Sequence, residues 1–296
     1  MKTLILKRKV IDSKKDYVKR SAQESDTSIM INEPTILVDE DTNEIMAVYD
    51  ILKIDTAGVV DALKKIRYSK GKRSRGLVST SRIFGYRPRN EMRQDYCSST
   101  SLVTESPKEH DVVAELALKL EEYYKRYNPK GYAEHKAQSE DKIKDSWRIG
   151  KKSLFTSGII NKNNPLKYHF DTGNFTKVYS MMIVFKGGVE GGYLSVPEYD
   201  CKFYLPDNSL FMFDGQGLLH GVTPIKYTNP NGYRFSVVYY TLKRMWECLV
   251  IGDEVARIRE KKTTRERTRM NTPMTEADRL LKEKNEKLLK NRIGKQ

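Results

Sequence analysis

Apolar positions along the chain fall into two textures. Before about residue 150 the spacing is mostly helical. Residues 107–127 (PKEHDVVAELALKLEEYYKRY) carry apolar side chains at Val112, Val113, Leu116, Leu118, Leu120 and Tyr124, with Ser106 at the cap position and Pro107 in the first turn. This predicts a long helix whose apolar stripe packs on a sheet. A second helix is predicted over residues 56–67. Ahead of it, Thr35–Val38 and Glu44–Tyr49 flank an acidic turn at 39–43, the pattern of a hairpin. From about residue 153 the texture changes to short strands. The candidates are Ser153–Ser157, Leu166–Phe170, Lys177–Phe185, Gly192–Val196, Lys202–Tyr204, Ser209–Phe213, Val222–Ile225 and Arg234–Leu242. Gly, Pro, Asn and Asp punctuate them in GGVEGG, LPDNS, DGQG and TNPNG. Short strands with regular turns predict a β-sandwich or jelly roll, and helices that come first and last predict a buttress on one face, so the fold class is α+β. Near the C-terminus, Thr275 caps a segment with Leu280, Leu281, Leu288 and Leu289 at helical spacing, which predicts a terminal helix after a basic linker.

Composition narrows the class. With 296 residues and 38% hydrophobic positions, the chain is long enough for one large domain or two small ones. No apolar run approaches the roughly 20 residues a membrane helix needs, and MKTLILKRKV lacks a signal-peptide core, so a soluble intracellular protein is expected. Three scattered cysteines, Cys97, Cys201 and Cys248, argue against a disulfide scaffold or a cysteine zinc site and suit a reducing compartment. Cys97 reads as a buried structural thiol.

The formal charge of +15 changes the picture more, because it is uneven. Residues 1–20 are net +6, residues 64–93 net +10 and residues 257–296 net +8, leaving the remainder net −9. A mildly acidic body therefore carries three basic segments, and an acidic macromolecule is the first partner to consider. In the middle run Ser, Gly, Phe, Tyr and Pro interleave with arginines, which suits a loop that grips phosphates and touches bases. The expected organisation is a basic segment over 1–75 (hairpin and helix) packed on the core, a jelly-roll body over 76–250, and a basic linker with terminal helix over 251–296.

Only four histidines occur: His110, His135, His169 and His220. His169 and Asp171 form H-x-D at the end of a predicted strand, where alternate residues share a face. His220 follows 49 residues after Asp171, just past another predicted strand. Two histidines and one carboxylate on one face of an octahedron form the usual ligand set of non-haem Fe(II) oxygenases. Arg234 lies fourteen residues beyond His220, with Ser236 on the same face of its strand. A buried arginine pairs bidentately with a carboxylate, so a co-substrate with a keto-acid end for the metal and a distal carboxylate for Arg234 fits, namely 2-oxoglutarate.

At these residues the sequence resembles the Fe(II)/2-oxoglutarate dioxygenases, and within them the TET/JBP branch that oxidises 5-methyl groups of pyrimidines in DNA. The resemblance covers roughly residues 80–245. It rests on FGYRPRNEMR (84–93), HFDTGN (169–174), GGYLSVPEY (191–199), LFMFDGQGLLHGVTPI (210–225) and RFSVVYY (234–240). It implies a double-stranded β-helix (jelly-roll) core, dependence on Fe(II), 2-oxoglutarate and O2, and double-stranded DNA from which the target base is flipped. It further implies that His169, Asp171 and His220 bind iron and that Arg234 and Ser236 hold the distal carboxylate. Asn174 matches a base-contacting position, Tyr240 a stacking aromatic, and Asn90 a second base-reading amide, while Arg87 and Arg89 are expected at phosphates. One position departs from the pattern. The 5-methylcytosine oxidisers place a histidine eight residues after the arginine, where this chain has Leu242, so thymine stands beside cytosine as a target.

Simpler readings accompany these. Tyr240 can be a core aromatic and Asn174 a turn cap. His110, in a helix, and His135, in a polar stretch, are expected to be exposed and silent. The rival functions are the same chemistry on another methylated nucleic acid and a catalytically silent DNA-binding jelly roll.

Overall fold

In the computed structural model, which describes residues 1–72, 78–90, 96–150 and 152–293, the alternating stretches assemble into three sheets. Among these residues the strands, in chain order, are β1 (Lys2–Leu6), β2 (Ile29–Ile31), β3 (Thr35–Asp39), β4 (Ile45–Ile51), β5 (Ser69–Lys72), β6 (Val78–Arg87), β7 (Ser98–Ser99) and β8 (Ser157–Lys162). They continue with β9 (Ser180–Gly187), β10 (Val189–Gly191), β11 (Leu194–Val196), β12 (Cys201–Phe203), β13 (Ser209–Phe213), β14 (Gly221–Val222), β15 (Ile225–Tyr227) and β16 (Tyr233–Tyr240). The helices are α1 (Ala57–Lys65), α2 (Ser101–Glu105), α3 (Pro107–Tyr127), α4 (Pro129–Ser139), α5 (Ile251–Asn271) and α6 (Glu276–Ile293). The large sheet runs β1-β3-β4-β13-β9-β16-β8-β6-β5, with β7 beside β6. A second sheet runs β14-β11-β12-β2, and β10 pairs with β15.

Period-two alternation gives the large sheet two apolar faces, so both must be covered. On β9, Met181, Ile183 and Phe185 face the layer of α1 and α3, while Met182 and Val184 face the second sheet. On β16, Phe235, Val237 and Tyr239 join the helix-side core, and the Tyr239 hydroxyl donates to the Val113 carbonyl of α3 (2.7 Å). The opposite face of β16 carries Arg234, Ser236, Val238 and Tyr240 toward the second sheet. The two facing sheets with helices on the outer side form the expected double-stranded β-helix, an α+β fold.

Several elements differ from the sequence reading. Residues 153–156 form a loop, because the Ser153 side chain captures the Phe155 amide (3.1 Å). Residues 166–170 make a single bridge at His169, their backbone being drawn to the N-terminal arm and to His220. The stretch 222–225 splits around Pro224, which has no amide to donate. On α3, Val112 and Leu118 face solvent, and the buried stripe is Val113, Leu116, Ala117, Leu120 and Tyr124. The basic linker is the helix α5, built from good helix formers without an apolar stripe. The described part of the 64–93 run is largely the edge pair β5 and β6 rather than a loop, while residues 73–77 and 91–93 lie outside the described residues.

The cysteine reading is overturned. Cys97 and Cys248 form a disulfide, although 151 residues separate them, and Cys201 is buried and free. Pairing across such a distance depends on tertiary proximity, which spacing does not encode, and it removes the cysteine count as an argument for a reducing compartment. Met1–Cys248 forms one compact unit and Leu249–Gln296 a second. In the second, α6 opens on Thr275, whose hydroxyl accepts from the Asp278 amide (3.2 Å) while Asp278 accepts from the Thr275 amide (3.1 Å). Among the described residues no helix is long and apolar enough to cross a membrane.

Candidate active site

His169 and His220 sit opposite each other in a one-residue antiparallel bridge. The His169 amide donates to the His220 carbonyl (2.9 Å), and the His220 amide to the His169 carbonyl (3.1 Å). Their ring centroids lie 4.4 Å apart. Each ring is oriented the same way: Nδ1–H donates to the carbonyl two residues upstream, Lys167 for His169 (2.7 Å) and Leu218 for His220 (2.8 Å). That assignment puts both Nε2 lone pairs on the inner side, the tautomer a metal requires. Asp171 is fixed by its amide, which donates to the Gly215 carbonyl (2.8 Å). Its carboxylate lies 3.8 Å from His169 Nε2. The three ligand atoms lie within 4.8 Å of one another, a donor set that fits one divalent ion.

Gly215 is a site residue that sequence reading missed. A Cβ there would stand 2.3 Å from Asp171 Oδ2, so only glycine leaves room for this carboxylate. The run DGQG was legible as a turn, but its closeness to Asp171 depends on the fold. The neighbouring Asp214 is pushed upward by burial and by the Asp171 charge.

Arg234 is 1% exposed, and its Nε and Nη2 have no hydrogen-bond partner. Burial pushes the guanidinium down to about 10. Its stem lies against Gly192, where a Cβ would meet Arg234 Cδ and Nε at 2.8 Å. Orphaned donors on a buried cation are costly, and a carboxylate is the acceptor that matches them. Directly opposite on β9 is Lys186, a second buried cation that sequence reading missed. It is pushed down to about 8 by burial and then by Arg234, and its ammonium lies 4.6 Å from the centre of the Tyr204 ring. Ser236, two residues on, faces a cavity of about 340 Å³, as does Asn161 opposite it on β8.

The same cavity is lined by the three candidate metal ligands and by Asn174, Tyr240 and Leu242. Asn174 is buried, donates to Ser180 Oγ (3.0 Å) and bridges to Leu242 through the backbone. The fold thus brings six sequence-predicted site residues, His169, Asp171, Asn174, His220, Ser236 and Tyr240, around one space, with Arg234 two residues from Ser236 on β16. Arg87, Arg89 and Asn90 do not line it. They lie at and just beyond the end of β6, where Arg87 donates to Ser98 Oγ (2.9 Å).

Two expectations about histidines are corrected. His110 is buried and its Nε2 accepts from the Gly85 amide (3.3 Å). His135 is fully buried and donates from Nε2 to Thr241 Oγ1 (2.8 Å), whose hydroxyl donates to the Leu154 carbonyl (2.8 Å). Burial, with the charge of Arg148 adding to it, pushes His135 down to about 3. Tertiary packing on α3 and α4 covered both rings, which local polarity did not foretell.

Residues 82–243 match the family model Tet/JBP, described as the oxygenase domain of the 2OGFeDO superfamily. The fold is similar to that of NgTET1, solved in complex with 5mC DNA, with a TM-score of 0.57 and 15% identity over 76% of this chain and 82% of that one. No curated protein matches the sequence.

Proposed function

Because this chain belongs to the TET/JBP family of oxygenase domains in the 2-oxoglutarate- and iron-dependent superfamily, we propose that it oxidises the 5-methyl group of a pyrimidine base in DNA, using Fe(II), 2-oxoglutarate and O2. The observation that carries the reading is the His169–Asp171–His220 cluster lining one cavity with Ser236, which stands two residues along β16 from Arg234 and its two unpaired guanidinium nitrogens. His169, Asp171 and His220 hold the iron, and the two Nδ1–H bonds keep each imidazole in the ligating tautomer. When bound, iron with 2-oxoglutarate and O2 supplies an oxidant able to break a methyl C–H bond. Arg234 donates to the distal carboxylate of the co-substrate, Ser236 adds a hydroxyl, and Lys186 adds charge from the opposite strand. The apolar lining (Leu194, Val222, Val238) keeps water from the reacting centre.

A methyl group in stacked DNA cannot reach such a cavity, so the base is flipped, at a cost of roughly a few kcal/mol. Tyr240 stacks on it, offsetting on the order of 1–3 kcal/mol, and Asn174 reads its edge. Arg87, Arg89 and Asn90 act outside the cavity, on the surrounding DNA. A second reading, thymine as the target, is favoured by Leu242. It lines the cavity beside Asn174 and offers no hydrogen bond to a cytosine edge.

Mass spectrometry of nucleosides, after incubation with DNA containing both 5-methylcytosine and thymine, tests both readings. Hydroxymethylated product with matching succinate is expected, and its identity selects the base. No oxidised nucleoside, or undiminished product from the Asp171→Ala variant, would overturn the proposal.

A further inference from the structure

We propose that the basic N-terminal arm, residues 8–26, is a clasp that sets the geometry of the two iron-binding histidines, with Arg8 as its positioning residue, rather than a grip on DNA. This rests on the reading of His169, Asp171 and His220 as a metal site.

Among the described side chains of residues 1–20, five Lys and Arg make ion pairs within the chain, three of them in the arm. These are Lys2–Glu33 (3.1 Å), Lys7–Asp41 (3.6 Å), Arg8–Glu198 (2.7 Å), Lys9–Asp200 (2.9 Å) and Arg20–Asp26 (2.7 Å). Those at Lys2 and Lys7 are exposed and weak. The pair at Arg8 differs, because Glu198 is 5% exposed.

Arg8 reaches the segment that carries His220 by two routes. Its Nη2 donates to the Gly217 carbonyl (2.7 Å) and to Glu198 Oε1 (2.7 Å). The other oxygen, Glu198 Oε2, accepts from the Leu219 amide (2.8 Å), one residue before His220. The Lys9 amide donates to the Glu198 carbonyl (2.7 Å), anchoring the arm at the same point.

Further along, the arm holds the segment that carries His169. The Lys19 amide donates to the Tyr168 carbonyl (2.9 Å), and the Tyr168 amide donates to the Arg20 carbonyl (2.9 Å). The Arg20 guanidinium lies over the rings of Tyr17 and Tyr168, 4.6 and 5.8 Å from their centres. The Tyr168 hydroxyl donates to Asp26 (3.0 Å). Between the two contacts, Ala22 packs with Tyr168 and Leu219 in a small buried cluster. The arm therefore bonds directly to the residue before His169, and reaches the residue before His220 through Glu198 and the packing of Ala22. The histidines are bridged to each other, so a shift at either grip moves both Nε2 atoms.

The test is Mn(II) affinity, measured by calorimetry on the full chain, beside thermal melts of the metal-free protein and DNA binding without metal. Outer contacts that orient metal ligands are worth roughly 10–100-fold in affinity. Arg8→Met should weaken Mn(II) about tenfold with DNA affinity little changed and a metal-free melt that is lower, because Glu198 loses its partner, but still cooperative, and Arg8→Lys should recover part of both losses. Unchanged Mn(II) affinity in Arg8→Met, or weaker DNA binding with Mn(II) affinity intact, would overturn the clasp. If Arg8→Met gives no cooperative melt, Glu198→Gln decides. It keeps an oxygen for the Leu219 amide but gives up the charge that holds Arg8, so unchanged Mn(II) affinity there also overturns the proposal. Asp171→Ala tells the two failures apart: if it binds Mn(II) like the natural chain, the metal reading itself has failed.

Discussion

At the scale of single residues, the site is defined by polar groups whose partners the protein alone does not supply. Arg234 keeps a buried guanidinium with two unpaired donor nitrogens. Removing that charge should help the metal-free, co-substrate-free protein and harm the reaction. Arg234→Met is expected to melt no lower than the natural chain without 2-oxoglutarate, to lose the melting shift that 2-oxoglutarate gives, and to need at least tenfold more 2-oxoglutarate for half-maximal turnover. A melt that still responds fully to 2-oxoglutarate would remove Arg234 from the anchor role. His135 supplies a pH signature. The folded state keeps it neutral down to about 3, whereas the unfolded chain takes up a proton near 6.5. Below pH 6.5 the unfolded state therefore binds the extra proton, and stability falls by up to about 1.4 kcal/mol per pH unit from this group. His135→Gln, which retains a donor for Thr241, should make the acid limb of the unfolding free energy shallower by about that slope. Urea titrations at several pH values check it.

At the scale of elements, alternation on β9 and β16 separates stability from function. One face packs on α1 and α3, and the other builds the cavity. A change on the helix side should cost stability and leave the site intact. Leu120→Ala on α3, at a fully buried position, is expected to cost about 2–5 kcal/mol by denaturant unfolding, with metal affinity unchanged. The hairpin of β3 and β4 and the long helix α3 were legible because their burial follows a local period. The strand reading at 166–170 failed for the opposite reason. Its backbone groups are satisfied one by one, by Lys19, Arg20 and His220, in contacts with no periodic trace. Helix α5 escaped a pattern search because a charged helix with almost no buried side chain leaves no apolar stripe.

At the scale of the molecule, the net charge of +15 separates into parts with different work. Most of the described N-terminal basic side chains are paired within the fold. In the second compact unit the described side chains of α5 and α6 are almost all exposed, and the unit is net +6. Release of counterions contributes a slope of roughly 0.9 in log affinity against log salt for each phosphate contacted. Deleting residues 249–296 should therefore flatten the salt dependence of DNA binding by several such units, while Arg8→Met leaves it alone. A slope unchanged by the deletion would assign the electrostatic grip to the body.

By itself the sequence marked the family and a candidate metal site. Two histidines, a carboxylate and an arginine stand at spacings that strand alternation can gather, and the motifs around them marked the family. It also determined the α+β class, since turns and periodicity are local properties. Tertiary structure alone decided what closes on those residues. Gly215 yields space to Asp171, Lys186 stands across from Arg234, Cys97 finds Cys248, and the basic arm folds back behind both histidines. The physical reason is common to all four. Each is a contact between segments far apart in the chain, whose energy comes from packing and charge pairing in three dimensions, and neither composition nor local period carries that information.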